Sequence, residues 1–552
     1  MYIFLYVFII CLLVIFSSRL FFIKSIFIIL ISFTITCWFI ANEFTGMGID
    51  DAFLYTITNS IKGTPIFDNS KYIVLTLVVF SFIFLSLYIS RKFKKKNAIS
   101  DFLFLLTIVV FFLHSQPVKN INELFFETNE YSDAKENYII QNNILSNSND
   151  NFVFIIAESL ERTFKDIDGT NYLRNISEID NFTDFSNIGY VRGSGWTIAG
   201  HVNLICGMPL IGTGNAADKI QTFMPKATCF SDILSEKGYK NIYISGTDLS
   251  FAGTKNFLSS HSFSTIIDIN TLNNKYKSTE LRNSWGIDDK IILDEAFNIY
   301  KEQSSRRNPF TLFVSTINTH SPGFTSPFCE NKIEDRYLNS VICADKLISD
   351  FIKKIKNTPY FKNTTIILVS DHGLMQWDAL IGKEIKRTNL LTVFNNKLKN
   401  EVINNEGTVL DQIPSAIDAI LNNNPSLGFG RSIYNKNNSF GLLSPEYNSF
   451  SKSLWAYPSL NQNIVKNKNN QLSIGSMKFS VPICIYFDNK YDISDFGYED
   501  GIKDRCMNDI KNKSSDNIII FENCEKDICY TLYKDGETKK LILDDKLNLS
   551  KN

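Results

Sequence analysis

Three apolar runs in this chain end in groups that hold cations or move protons. FVFIIAES (152–159) runs into Glu158, FTLFVSTINTH (310–320) runs out to His320, and TTIILVSDHG (364–373) ends in Asp371 and His372. A carboxylate that closes a run of buried Ile and Val loses hydration and needs a partner. A divalent cation would supply it. Asp371 and His372 put two ligands on one turn, with Gly373 permitting a tight backbone. Each residue alone has an ordinary explanation, since a Glu after a strand is often a helix-cap neighbour or a surface residue. The three strand ends together make the stronger signal.

A fourth stretch, RGSGWTIAGHVNLICGMPL (192–210), supplies a hydroxyl. Gly193 and Gly195 free the backbone before Thr197, and the residues after it predict a short helix that stops near Gly207 and Pro209. Thr197 then lies at a helix N-terminus, where free amides stabilise negative charge. That position suits an N-cap equally well. A Thr hydroxyl is a poor nucleophile until a base or a metal activates it; a cation held by Glu158, Asp371 and His372 would do so. Ser194 is the rival nucleophile. His201 falls four residues after Thr197, on the same helical face, and reads as a simple helix-face histidine.

The elements that must position these groups are legible as short buried strands. FVFIIA (152–157), NIYIS (241–245), FTLFVSTI (310–317) and TTIILVS (364–370) are separated by helical patterns such as CFSDILSEKGY (229–239) and YLNSVICADKLISDFIKKIK (337–356). This alternation predicts an α/β domain, a mostly parallel sheet with helices on both faces, over residues 151–444. In such sheets ligands bind outside the carboxyl ends of the strands, so groups distant in sequence converge there. Residues 116–150 are polar and predict a linker. From 445 to 552 the texture changes to short strands (FSVPICIYFD, NIIIFEN, CYTLYKDG) between turns, a small β-rich C-terminal domain.

The front of the chain is of another kind. Apolar runs at 1–16, 20–40, 72–90 and 102–113 predict a transmembrane domain over 1–115, with helices at 1–17, 20–41, 72–90 and 101–115. The second and third reach the ~20 residues that a spanning helix needs; the first and fourth are short. The first run lacks the basic start and the small-residue cleavage site of a signal peptide. RKFKKK (91–96) belongs on the cytoplasmic side. Residues after about 115 are then extracytoplasmic if the fourth run spans, and inside if it does not. The net charge of −1 gives no case for nucleic acid as a partner. Eight of the ten cysteines fall as short-spaced pairs, Cys206/Cys229, Cys329/Cys343, Cys484/Cys506 and Cys524/Cys529, which suits disulfides in an oxidising compartment. Spacing leaves the connectivity open.

AESLERTF, GSGWTIAGHVNLICGMPL, FAGTKNFLSSH, WGIDD, NTHSP and SDHG occur in this order. Together they resemble the phosphoglycerol transferase I group, which decorates osmoregulated periplasmic glucans. That group is a branch of the lipoteichoic acid synthase-like proteins of the sulfatase/alkaline-phosphatase superfamily. GMGIDDAFLYTITNSIKG (46–63) and, more weakly, WAYPSL (455–460) extend the likeness. The resemblance implies a catalytic domain tethered to the bacterial inner membrane and facing the periplasm or outside. It implies one divalent ion, usually Mn²⁺, with Mg²⁺ and Zn²⁺ as alternatives. The matching metal ligands are Glu158, Thr197, Asp371 and His372. Thr197 matches the nucleophile and His320 the histidine at the substrate phosphate. Trp196, Lys255, Trp285 and Asp288 are the further substrate-binding candidates, and His201 stands where an apolar residue is expected. The implied reaction moves phosphoglycerol from phosphatidylglycerol to a glycan through a phosphoglyceryl-threonine. A phosphoethanolamine transferase of the same fold and a non-catalytic membrane-bound sensor are the alternatives. A sulfatase would need a Cys/Ser-x-Pro-x-Arg signature, and Cys206 is followed by Gly-Met-Pro.

Overall fold

The structure, a computed structural model, describes residues 2–15, 21–45, 48–58, 80–81, 83–89, 91, 98–125, 137–141, 144–145, 150–211, 223–273, 275–276, 281–306, 308–434, 454, 460–467, 471–474, 477–491, 493–497, 500–512, 517–524, 527–544 and 546–549. The start of the third apolar run (72–79), the basic cluster at 92–96 and most of WAYPSL (455–459) lie outside the described residues.

The N-terminal part forms helices α1 (Tyr2–Ile15), α2 (Phe21–Thr45), α3 (Asp51–Thr58), α4 (Ala98–His114) and α5 (Gln116–Phe125). Within α2, residues Phe22–Asn42 have a mean hydropathy of 2.1 over 21 residues, enough to cross a bilayer. At 14 residues α1 is too short to do so unaided. The predicted fourth span is α4, which turns by 53° into α5; the described residues therefore hold one helix long and apolar enough to span, or two if this bent pair counts as one. Phe22 and Phe33 on α2, and Phe102 and Leu113 on α4, are exposed. Large apolar groups left in contact with the surroundings suit hydrocarbon better than water.

The central sheet is built from β1 (Asn151–Ala157), β2 (Phe182–Phe185), β3 (Lys240–Ser245), β4 (Thr265–Ile267), β5 (Phe310–Ser315), β6 (Thr364–Ser370), β7 (Leu391–Phe394) and β8 (Glu401–Ile403). Their order is β8-β2-β7-β6-β1-β5-β3-β4. All neighbours are parallel except β7, which runs antiparallel to both β2 and β6. Strand β1 alternates in burial partners as a two-sided strand must. Phe152, Phe154 and Ile156 enter one core with α6 (Thr197–Cys206), α7 (Phe230–Glu236), α8 (Thr254–Ser260) and a helix at 412–421. Val153, Ile155 and Ala157 enter the other, with α9 (Asp289–Ser304) and α10 (Arg336–Lys356). The α/β domain is thus a mixed, mostly parallel sheet with helices on both faces.

Part of the predicted linker belongs to the folded body: Ile139 and Ile140 pair with Gly428 and Leu427. The C-terminal strands form a four-stranded and a five-stranded sheet around a separate apolar core. The eight paired cysteines join as Cys206–Cys229, Cys329–Cys343, Cys484–Cys506 and Cys524–Cys529.

Candidate metal and nucleophile centre

Register sets the centre. In the ladder between β1 and β6, Ala157 faces Ser370, so the next residues, Glu158 and Asp371, leave adjacent strands at the same height. Ile156 faces Ser315 on the other side, which sends the chain towards His320 from the same sheet edge. Glu158, Asp371 and His372 are all buried, with ligand atoms within 4.8 Å of one another.

Helix α6 brings the fourth group. Thr197 is its first residue, and the cap position falls to Trp196, whose side chain makes no capping bond. The Thr197 hydroxyl is therefore not spent on capping. Oγ1 lies 3.4 Å from Glu158 Oε2 and 3.4 Å from His372 Nε2. Gly200 makes that approach possible: a Cβ there would stand 2.2 Å from the Asp371 carbonyl oxygen. The helix ends where predicted, at Gly207 in the left-handed region with φ 62°.

The remaining bonds orient the ligands. His372 Nδ1 donates to the Gly373 carbonyl at 2.7 Å, leaving Nε2 to face the carboxylates. Nε2 lies 3.3 Å from Glu158 Oε1 and 3.5 Å from Asp371 Oδ2. Asp371 Oδ1 accepts the amides of Ser159 and His372 at 2.9 and 2.8 Å. Ser159 Oγ donates to Glu158 Oε1 at 2.9 Å, from a backbone held at φ 50°. That left-handed φ on a serine costs on the order of 1–3 kcal/mol and recurs at functional sites.

The donor set fits a divalent cation. A tetrahedron built on ~2.1 Å bonds has edges of about 3.4 Å, close to the four separations between Thr197, His372 and the two carboxylates. The charge balance agrees. Burial, the largest single influence, raises the Glu158 carboxyl, but the His372 charge and hydrogen bond, the His320 charge and the Ser159 hydrogen bond together outweigh it and hold the group at about 2. Burial, and then repulsion from Glu158, push Asp371 up to about 8. His372, which burial alone would lower, is raised to about 10 by Asp371 and Glu158. Without a cation Asp371 and His372 both hold protons beside the ionised Glu158; a divalent ion would let Asp371 ionise as well.

The other candidates divide. The His320 ring packs against Trp285, tilted by 38° with centroids 4.0 Å apart, and Nδ1 donates to the Ser321 carbonyl at 3.0 Å. Burial lowers its pKa, partly opposed by the Glu158 charge. Lys255 is 56% exposed, with its nearest carboxylate, Asp268, at 4.0 Å. Asp288 caps α9: Oδ1 accepts Lys290 N at 3.0 Å and Ser326 Oγ at 2.8 Å, and Oδ2 accepts Asn318 Nδ2 at 2.8 Å. Its carboxylate is occupied by the fold, which leaves it to shape the site from behind. Trp196 packs on Tyr55 at 5.6 Å, with its Nε1 buried and unpartnered. Ser194 is held in its own turn, donating to Val191 O at 2.6 Å. His201 is a helix-face residue: Nδ1 donates to the Thr197 carbonyl and Nε2 accepts from Tyr243, each at 2.7 Å.

Residues beyond the sequence reading support the centre. Glu161 is fully buried, accepts Leu374 N at 2.6 Å and is clasped by Arg387 through Nε at 3.1 Å. Arg387 also donates to Leu374 O at 2.8 Å, so this ion pair braces the turn that carries Asp371 and His372. Glu161 sits three residues after Glu158 in a quoted motif, a usable signal; nothing near Arg387 marks it.

The family described as Sulfatase matches residues 150–421, and that described as phosphoglycerol transferase I, N-terminal domain, matches residues 1–134. Phosphoglycerol transferase I of Xanthomonas campestris pv. campestris (strain B100) is 29% identical over 507 residues, 86% of this chain and 71% of that protein. Phosphoglycerol transferase I of Citrobacter koseri is 33% identical over 422 residues, 71% of this chain and 54% of that protein. Among solved structures, a lipoteichoic acid synthase from Listeria monocytogenes superposes with a TM-score of 0.44 at 17% identity, covering 58% of this chain and 82% of the other.

Proposed function

We propose that this chain, which matches the Sulfatase family over residues 150–421 and is similar to the phosphoglycerol transferases I, moves phosphoglycerol from phosphatidylglycerol to an extracytoplasmic glycan through a covalent Thr197 adduct. The observation that carries the reading is the Thr197 hydroxyl, 3.4 Å from both Glu158 and His372 at the end of a parallel sheet.

Glu158, Thr197, Asp371 and His372 would hold the divalent ion, Mn²⁺ in this reading. When bound it supplies Lewis-acid stabilisation to the Thr197 oxygen and to the transferring phosphoryl group. The chain's own residues do the rest. Thr197 Oγ1, its proton lost to solvent, attacks phosphorus. The new P–Oγ1 bond forms as the bond from phosphorus to the diacylglycerol oxygen breaks. That oxygen takes a proton from the His320 imidazolium. Burial, which lowers the His320 pKa, makes the protonated ring a stronger donor. In the second half, neutral His320 takes the proton of a glycan hydroxyl, the glycan oxygen bonds to phosphorus, and the P–Oγ1 bond breaks. Thr197 regains its proton from solvent, and His320 is left protonated for the next cycle. The exposed apolar faces of α2 and α4 hold the centre at the bilayer, where the lipid donor is concentrated.

The test is incubation of the purified full chain with Mn²⁺ and phosphatidylglycerol labelled in the head group. Label should appear on the protein and be absent from Thr197→Ala. Undiminished transfer by Thr197→Ala would overturn the proposal. Labelling from phosphatidylethanolamine alone would reassign the donor to the phosphoethanolamine transferase alternative.

A further inference from the structure

Outside the Thr197 centre, a groove of about 710 Å³ lies between the loop at 281–288 and the segment at 324–339. Its size falls in the ~300–1,000 Å³ range of ligand sites. It is joined to the His320 wall by short links. Asn283 donates to Asn318 at 2.9 Å, Phe324 N donates to the Asn318 carbonyl at 2.7 Å, and Trp285, two residues after Asn283, packs against His320.

The lining has a consistent chemistry. Among the described residues, the side chains of Thr325, Asn331 and Glu334 make no hydrogen bond within the protein. Arg336 spends Nε on the Gly323 carbonyl at 2.8 Å and lays its guanidinium over the Phe324 ring at 5.2 Å. Arg282 is bonded to Asn273 and the Tyr276 carbonyl, and Asp288 to Asn318 and Ser326, so the groove offers a ligand an aromatic surface, a hydroxyl, an amide and, in Arg336 and Glu334, one further charge of each sign. A phosphate would meet Glu334 as well as Arg336, and an ammonium would meet the reverse. A neutral chain of hydroxyls can give and accept hydrogen bonds with all four polar groups and pack its C–H face on Phe324. The walls are fixed in advance, which limits the ordering cost of binding. The Cys329–Cys343 disulfide ties the segment to α10, and Asn339 Oδ1 accepts Lys332 N and Ile333 N at 2.8 and 3.1 Å.

We propose that this groove holds the acceptor, a neutral hydroxyl-rich oligosaccharide, and leads its reacting end past Trp285 and His320 to the phosphorylated Thr197. The assignment of the ligand as acceptor rests on the transferase reading above; the groove's preference for neutral sugars does not.

Two measurements separate them. Binding of neutral gluco-oligosaccharides of increasing length to the full chain, without lipid donor, is followed by tryptophan fluorescence and by saturation-transfer NMR. The wild type should bind longer oligosaccharides more tightly. A Thr325→Ala/Asn331→Ala double variant, with both changes on exposed or half-buried side chains, should bind about tenfold more weakly, a loss of about 1.4 kcal/mol. Equal binding by the double variant, or displacement of the sugar by millimolar glycerol phosphate, would overturn the groove. Adduct formation from labelled phosphatidylglycerol is then measured on the same preparations. Sugar binding without any adduct would leave the groove standing and remove the transferase reading. An adduct with no sugar binding would do the opposite.

Discussion

At the scale of single residues, the centre's chemistry turns on protons that a cation must displace. His372 has Nδ1 committed to the Gly373 carbonyl, so metal binding competes only for Nε2. In the metal-free protein that nitrogen keeps its proton up to about pH 10, and Asp371 keeps its own up to about pH 8. Both values are raised, so protons are released on metal binding, and affinity increases with pH by about tenfold per unit for each proton displaced. Expected, then, is a larger rise in melting temperature with Mn²⁺ at about pH 8.5 than at about pH 6; an equal rise at both would show that the two groups are already deprotonated. The same sign governs the chelated protein. A carboxyl raised in the fold contributes stability that is full below its unfolded pKa near 4 and is lost as pH climbs through about 8. Chelator should therefore lower the melting temperature most at the alkaline end.

At the scale of elements, a helix and a strand end must touch without side chains between them. Gly200 allows this, since its added Cβ would lie 2.2 Å from the Asp371 carbonyl oxygen, a backbone atom that cannot swing away. Gly200→Ala should cost about 1–3 kcal/mol of stability by overpacking. By moving Thr197 off the cluster it should also weaken Mn²⁺ binding by roughly 10–100-fold, as loss of supporting contacts does. Unchanged metal affinity by calorimetry would mean that Thr197 is not set by this contact. The strand ends themselves are readable in the sequence: β1, β5 and β6 are rich in Ile, Val, Leu and Phe, and their parallel pairing follows from the helices between them. Strands β2, β4 and β8 are not. They are short edge-side elements, as in FTDF, TII and EVI, whose identity comes from pairing rather than from pattern. The Glu161–Arg387 brace is hidden for a related reason: its partners lie 226 residues apart, and a buried ion pair has no periodicity.

At the scale of the whole molecule, the N-terminal part is joined to α6, the helix that carries Thr197, by more than a tether. Helix α3 follows α2 directly and reaches into the core around α6, where Ala52 and Tyr55 are buried. Tyr55 donates to the Ala252 carbonyl at 2.7 Å and packs on Trp196, the residue before Thr197. Asp51 accepts Arg192 Nε at 2.5 Å, five residues before Thr197. Sequence pattern shows the apolar runs but not this docking, because α3 is two turns long and its hydrogen-bond partners lie 141 and 197 residues away. Two roles for the N-terminal part predict different results with a short-chain, water-soluble phosphatidylglycerol. If α2 only concentrates lipid, a fragment beginning at residue 137 should match the full chain on this donor. If α3 sets the Trp196–Thr197 corner, the fragment should be slower even though the donor needs no membrane. The geometry favours the second outcome. Removing α3 uncovers Tyr55's partner Trp196 and leaves Arg192 without Asp51, and loss of one hydrogen bond to a charged group costs about 1.5–3 kcal/mol. In the full chain Asp51→Ala should then lower kcat on the soluble donor by about tenfold while leaving Mn²⁺ affinity within twofold, because none of the proposed metal ligands bonds to that pair. Equal rates for fragment, variant and full chain would return the N-terminal helices to the role of an anchor.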